Sequence, residues 1–509
     1  MSAWDVVVIG AGGSGAVVAA RLSEDAGRRV LLLEAGPVPT HRSAFPPGLL
    51  DARRVPGAEP SASTSWRFPA SLSHGRPWVV TRGRVLGGST TTNGGYFVRP
   101  RPEDLDRWST TGGTTWSWDA VLPFLRTLEH DLDFGSAPEH GSTGPMPVRR
   151  PALDSPAAAA FVAAATELGH ATEPDKNAAG VGGVGPVPGN VVDGVRVNTG
   201  LAYVVPALSR PNLTVLGGTL VRRVIIEHGV ATGCEVERDG RVETVSAGEV
   251  VLAAGAVGSA HLLVLSGIGP RGVLDRLGLP IVRDAPVGGF SDHPQVVVEW
   301  QPRVDLPAPE GSWTGAALNV SLGDGPASGD TEVLQSLVPL PVLAGGPHVS
   351  GAPLPLLVSV HAPVRSGRVE VQSADPRQTP FLDYRYLATA DDRRRMRQAV
   401  RASVDALTAR AFRDVSAGVV DLDVATASDD DALDGWIAAH LSTSFHTCGT
   451  APFGAADDPA AVVAPDGRVH GVRRLRVADT SILPTAPLRG PAVSAVLVGE
   501  VIADQMRKA

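Results

Sequence analysis

Three glycines and one acid near the start of the chain have the spacing of a dinucleotide cradle. Gly10, Gly12 and Gly15 form a GxGxxG turn, with Gly13 and Ser14 inside it. Glycine at these places permits a tight turn and lets the backbone approach a pyrophosphate closely. A helix starting there offers free N–H groups and the positive end of its dipole to that anion. Glu34 ends the next apolar run, where a carboxylate can accept both hydroxyls of a ribose; Ala35 follows it. An acid in that place favours an unphosphorylated adenosine ribose, hence FAD or NAD over NADP. Glycine makes up 58 of 509 residues, so the motif carries weight only through its setting.

The elements around the motif supply that setting. Residues 6–9 are a continuous apolar run of the kind a buried parallel strand shows. Residues 16–22 are helix formers and 29–34 (RVLLLE) read as the second strand, closing a βαβ-type unit of about thirty residues. Strand patterns recur over 215–227, 233–237, 249–253 and 475–479. Helical patterns cover 257–265, 391–411 and 492–506. Residues 136–155 and 174–190 are rich in Pro, Gly and Ala and read as loops. Between 295 and 440, short strand patterns alternate with Gly/Pro breaks. The expected class is α/β, with an α+β part in the second half.

Composition excludes several functions. Apolar residues make up 43% of the chain, which is too many for general disorder. The net charge of −8 lacks the basic surface of a nucleic-acid binder. Cys234 and Cys448 are the two cysteines; they make neither a disulfide framework nor a metal cluster and fit a reducing cytoplasm, with a bond between them left open. The chain enters a strand at once without a signal-peptide pattern. No apolar run reaches the ~18 residues of a membrane span, although peripheral membrane contact stays open.

Six stretches in order carry a resemblance that separates FAD from NAD. Residues 82–94 (RGRVLGGSTTTNG), 255–269 (GAVGSAHLLVLSGIG) and 286–294 (PVGGFSDHP) are three of them. Residues 194–221, 444–450 (SFHTCGT) and 475–485 (LRVADTSILPT) are the others. Together they resemble the glucose–methanol–choline (GMC) oxidoreductases from residue 5 to residue 505, most thinly between 295 and 360. The resemblance implies a Rossmann-like FAD-binding domain over 1–294. An antiparallel-sheet substrate domain would occupy 295–440, with a return to the first domain over 441–509. It places Arg82, Gly87, Gly88, Ser89, Asn93 and Gly94 along the FAD. Val221 is placed at the adenine, and Ala254, Gly255, Asp479 and Thr480 beside the rest of the cofactor. Some members link FAD through a histidine where this chain has Thr92, so the cofactor is expected to be non-covalent.

The resemblance also selects one of thirteen histidines. His446 stands before Gly449 and Thr450 in the matching frame and is implied to be the catalytic base or alkoxide partner. An imidazole suits that task because its ordinary pKa lies near working pH. His293 is read as a packing or backbone-bonding residue, and His261 and His470 as surface or packing residues. Asp479 is expected to use its backbone N–H, because a carboxylate beside a pyrophosphate would repel it. The family's second active-site His or Asn falls at Gly490, which has no side chain to donate. Either Arg489 or a residue from elsewhere replaces it, or His446 acts alone.

Function follows at the level of a reaction class: oxidation of an alcohol by hydride transfer to the flavin. The Arg-Gly-Pro at 489–491 resembles the GMC member of the mycofactocin system. This implies a peptide-derived redox cofactor, mycofactocinol, as substrate and electrons passed towards the respiratory chain. Alternatives are a small-alcohol dehydrogenase or oxidase of choline or polyethylene-glycol type, and a flavin-binding lyase-like member without redox turnover.

Overall fold

The computed structural model describes residues 4–58, 63–303, 306–361 and 363–508. The strand Trp4–Ile9 lies at the centre of a sheet, with Val30–Leu33 and Arg241–Leu252 parallel on either side. Its last four residues are fully enclosed, as the unbroken apolar run requires. Leu213–Leu216 extends the sheet beyond Val30–Leu33, and Leu475–Val477 pairs with Arg241–Leu252 on its far side.

The strand expected over 215–227 is two strands. Gly217 and Gly218, the latter at φ +62°, break it. Leu213–Leu216 joins the parallel sheet, while Thr219–Glu227 turns away into an antiparallel ribbon with Val230–Arg238. The other expected elements are present with shifted ends. The helices run over Gly255–Leu265, Ala390–Thr408 and Ala492–Lys508.

A second sheet of Ser416–Val419, Pro294–Pro302, Leu354–Val360, Thr331–Ser336, Thr314–Val320 and Val184–Pro186 is antiparallel throughout. Its last strand comes from the stretch read as loop over 174–190. The helix Ala390–Thr408 covers one face, burying Met396, Val400 and Leu407 against Val298, Trp300 and Val358. Thr389 caps it by accepting the Asp392 N–H at 3.1 Å. A third sheet includes the hairpin Ser65–Ser71 and Pro77–Gly83 together with Gly367–Glu370 and Phe381–Asp383.

The helix Ala492–Lys508 packs on the first helix, Gly15–Leu22. A Cβ on Gly499 would sit 2.8 Å from both the Ser14 carbonyl oxygen and Val17 Cβ, so the backbones touch. Buried Glu500 locks the contact, bonded to Arg21 at 2.8 Å and to the Tyr203 hydroxyl at 2.8 Å.

The stretch read as a loop over 136–155 is held by a buried ionic network. His140 reaches Glu129 at 2.9 Å, Asp131 at 3.1 Å and Asp175 at 2.8 Å. Arg99 pairs with Glu129 at 2.5 Å, and Arg150 bridges Asp131 and Asp175. Burial alone would lower the His140 pKa, but bonds to Asp131, Asp175 and Glu129 raise it to about 10.

Candidate active site

A single cavity of about 520 Å³ joins the glycine turn to the histidine end, a size that suits a ligand site. Its wall includes Gly10, Gly12, Gly13, Ser14, Glu34, Ala35 and Val221 at one end. Arg82, Gly88, Ser89, Asn93, Gly94, Ala254, Gly255, His446, Asp479 and Thr480 continue it. Gly15 and Gly87 stand behind this wall. A Cβ on Gly15 would lie 1.9 Å from the Gly10 carbonyl oxygen, and one on Gly87 2.3 Å from Thr91 Oγ1. These two glycines shape the turns rather than face the space.

The nucleotide end fits FAD on structural grounds. Gly12 and Gly88 pack backbone on backbone, since a Cβ on Gly88 would fall 2.7 Å from Gly12 Cα. Their bare peptides leave a floor against which a pyrophosphate can lie. Glu34 is held in place by the N–H groups of Gly36 at 2.8 Å and Ala11 at 3.0 Å. Burial pushes its carboxyl up to about 7 against the pull of those bonds, so further donors such as ribose hydroxyls suit it. The Asp479 carboxylate is consumed by the protein: it accepts from Gly255 N and Ser259 Oγ on one oxygen, and from Ser481 N and Oγ on the other. Thr92, on the same wall, has no nucleophilic nitrogen to form a covalent link.

His446 is placed by two segments zipped together. Leu441–Thr443 pairs antiparallel with the start of Pro294–Pro302, and Ser291 and Cys448 exchange both backbone bonds at 3.0 Å. Asp292 brackets the kink between them: Oδ1 accepts the N–H of His446 at 2.8 Å and of His293 at 2.7 Å, and Oδ2 accepts the Thr447 hydroxyl at 2.7 Å. The kink puts Phe445 at φ +63°, a left-handed conformation that a bulky residue rarely adopts. Burial drives the His446 imidazole down to about 3, with the charges of His361 and Arg82 adding and Glu332 opposing. It is neutral at working pH.

His293 does more than pack. Its Nδ1 lies 2.9 Å from Nδ1 of His446, and its ring lies 4.3 Å, centroid to centroid, from that of His361. Sequence reasoning missed this because 153 residues separate the pair and no spacing links them.

At Gly490 a Cβ would lie 3.2 Å from His446 Nε2, so this position is indeed the one beside the histidine. The room is taken by Tyr96, whose ring would stand 3.0 Å from that Cβ. The Tyr96 hydroxyl donates to Glu332 at 2.8 Å, and Asn319 donates to the same oxygen at 3.0 Å. Burial alone would raise the Glu332 pKa, but His361, Arg489 and these two bonds lower it, leaving the group ionised. Both Tyr96 and Glu332 line the cavity, and neither was foreseen from the sequence. Arg489 is fully buried and spends its guanidinium on the carbonyls of Gly329, Leu488 and Ser328. It caps backbone and does not replace the missing partner. His261, read as a surface or packing residue, is buried beside the nucleotide end, where burial lowers it to about 4. His470 bonds the Gly454 carbonyl at 3.1 Å, away from the cavity wall. Cys234 and Cys448 are free and buried.

Comparisons with known proteins bear on the family and the fold. The amino- and carboxy-terminal models of the GMC oxidoreductase family match residues 4–295 and 363–499. An uncharacterized GMC-type oxidoreductase from Rhodococcus erythropolis is 37% identical over 508 residues, covering 97% of each chain. The oxygen-dependent choline dehydrogenase of Rhizobium johnstonii is 32% identical over 534 residues, covering 99% of this chain and 95% of its own. Among solved structures, pyridoxine 4-oxidase from Mesorbium loti superimposes with a TM-score of 0.92 at 29% identity over 99% of each chain. A formate oxidase variant from Aspergillus oryzae shares the fold, with a TM-score of 0.90 at 24% identity over 100% of this chain and 98% of that one. The chain belongs to the GMC oxidoreductases and is an FAD-dependent flavoprotein oxidoreductase acting on CH–OH groups.

Proposed function

We propose that His446 is the base of this reaction and that its Nε2 takes the hydroxyl proton of the alcohol. The observation that carries this reading is a neutral imidazole on the wall of the same cavity that holds the dinucleotide cradle. When bound, FAD supplies the hydride acceptor. Gly10 to Ser14, Glu34, Ala35, Gly88, Ser89, Asn93 and Gly94 would hold it, with Val221, Ala254, Gly255, Asp479 and Thr480. A neutral nitrogen can accept a proton, and a buried imidazolium beside the new alkoxide then gains the charge pairing that the resting site lacks. Val55, Trp313, Leu334, Leu343 and Leu357 line the cavity. They exclude water and favour a substrate with an apolar body. The division at 1–294, 295–440 and 441–509 is proposed with this role, the last segment bringing His446 to the cofactor.

Mycofactocinol as substrate, with electrons leaving for the respiratory chain, is the finer reading. Its support is the resemblance around 489–491 alone. The missing side chain at Gly490 gives such a large substrate no extra room, because Tyr96 fills that space.

Anaerobic mixing of the purified holoenzyme with an alcohol panel tests the reading. The panel holds aryl and alkyl alcohols, choline, a polyethylene glycol and mycofactocinol, followed by oxygen or a quinone. Bleaching of the flavin by a panel member, slowed in His446→Gln, is expected. A His446→Gln enzyme that bleaches at the parent rate overturns the assignment of the base. Product formed with no bleaching points to the lyase-like reading.

A further inference from the structure

The sheet on one side of the cavity carries its side chains in three ordered lines. Along Pro294–Pro302 the even-numbered Val296, Val298 and Trp300 are buried in the core, while Gln295 and Val297 alternate with them and line the cavity. Backbone register carries that face across the neighbouring strands. Gln295 pairs with Ser359, Ser359 with Glu332 and Glu332 with Asn319, so a line of polar residues crosses the sheet. The next line, about 7 Å further along the strands, is Val297, Leu357, Leu334 and Ala317, all apolar. On the other side of the polar line stand His293 and His361, with ring centroids 4.3 Å apart, and His293 touches His446. Away from the base, the face thus runs imidazole, polar, apolar.

Most of the polar line is already bonded. Asn319 accepts from Lys176 at 2.9 Å and donates to Glu332 at 3.0 Å. Ser359 and His361 share a bond at 3.0 Å. Glu332 takes the single proton of the Tyr96 hydroxyl at 2.8 Å, so Tyr96 has no donor left for a ligand. Gln295 is the exception. Its side-chain amide bonds to no described residue, and its N–H groups and carbonyl oxygen stay on offer at the cavity. Ser444 faces His293, whose carbonyl accepts its N–H at 3.1 Å. Its hydroxyl is buried on the cavity wall without a partner among the described residues. Enclosed polar groups without a bond point to a ligand group that completes them.

We propose that Gln295, with Ser444 on the adjoining segment, is a specificity-determining residue that binds a second oxygen of the substrate. The enzyme then selects an alcohol that carries a further hydrogen-bonding oxygen between its reacting end and an apolar body. This rests on His446 as the end at which the alcohol reacts. An apolar group laid on the Gln295 amide strips its water and returns no bond, whereas a substrate oxygen there replaces what is lost. Gly490 has no such group to offer, and Arg489 and Tyr96 have committed theirs to the protein.

Octan-1-ol and the series from octane-1,2-diol to octane-1,6-diol share one apolar body and test the proposal. Anaerobic flavin reduction of the holoenzyme gives kcat/KM for each. The best diol should exceed octan-1-ol by about tenfold or more, carried by KM. Gln295→Leu should bring that ratio towards unity by raising KM for the diol, at parental FAD content. Ser444→Ala should lower it part of the way, and an unchanged ratio there overturns the share of that hydroxyl. Equal kcat/KM across the series overturns the proposal, as does a ratio that survives Gln295→Leu. Loss of FAD from Gln295→Leu overturns it too, since the amide then serves the cofactor. Gln295→Met takes the place of Gln295→Leu if the latter does not fold. If none of the series bleaches the flavin, the same compounds act as inert ligands. A larger rise in thermal midpoint with a diol than with octan-1-ol, lost in Gln295→Leu, then upholds the subsite, and equal rises overturn it. A His446→Gln enzyme at the parent rate sinks the base assignment and leaves the diol ratio readable.

Discussion

His446 and His140 are both enclosed by protein, yet they are driven to opposite charge states. Around His446 stand two further imidazoles and the Asp292 bracket, which bonds its backbone N–H, while Glu332 opposes the shift only in part. Burial lowers its pKa to about 3. Around His140 stand three carboxylates at 2.8–3.1 Å, and their bonds raise it to about 10 although burial acts against the charged ring there too. Desolvation sets the default, and only direct acidic contacts reverse it. A neutral ring can begin proton transfer; a permanently charged one serves as a structural cation. Histidine alone therefore says little about function until its immediate acids are known.

The comparison can be broken first at the site. His446→Gln should reduce the rate of flavin reduction by about 10²–10⁴-fold, the usual worth of a positioned base, with FAD content and thermal midpoint near the parent. Stopped-flow absorbance reads both the bleaching and the cofactor. Removal of the structural ring should act on stability instead. His140→Gln leaves the carboxylates with too few partners and should cost about 3–5 kcal/mol, while the rate per folded molecule stays unchanged. Denaturant titration measures this. Because the folded pKa of His140 is raised, its contribution is full below ~6.5 and fades as pH rises towards 10. The gap between parent and variant should therefore narrow between pH 7 and pH 10.

A third test concerns the space beside His446. Gly490→Asn should overpack against Tyr96 at a cost of about 1–3 kcal/mol, and Tyr96→Val in the same chain should relieve it. A double-mutant cycle on thermal midpoints and on flavin reduction gives the coupling; strict additivity would show that the two positions do not share space. The smallest effect lies on the acid side. The folded pKa of His446 is depressed, so the unfolded chain takes up its proton first. Stability should fall as pH drops from ~6.5 towards 3. His446→Gln should make that slope shallower in urea midpoints taken between pH 6.5 and pH 5.

The local chemistry was readable where function uses the backbone. Gly10, Gly12, Glu34 and Gly88 were recognisable because a close peptide approach and a strand-end acid leave marks at fixed short spacings. His446 was recognisable only through the ordered stretches around it. The partners of His446 were not. Tyr96, Glu332, His293 and His361 come from four separate stretches, and nothing local marks their meeting. Arg489 was open to reading as an alkoxide partner or as a surface or backbone-capping residue; three backbone carbonyls hold it fully buried, which is the capping role. The break at Gly217 and Gly218 was visible as two adjacent glycines, but the apolar pattern on either side hid it.

The close seating of Gly499 on Ser14 has a consequence for biogenesis. The cradle shares its wall with Pro491, Ala492 and Ala495, and the Ser14 hydroxyl bonds the Ala495 carbonyl at 2.6 Å across 481 positions of sequence. A ribosome delivers the glycine turn long before it delivers that lid. Until the later helix docks, the early turn offers a nucleotide only one side of its berth, so the complete wall exists only once the end of the chain lies against its start.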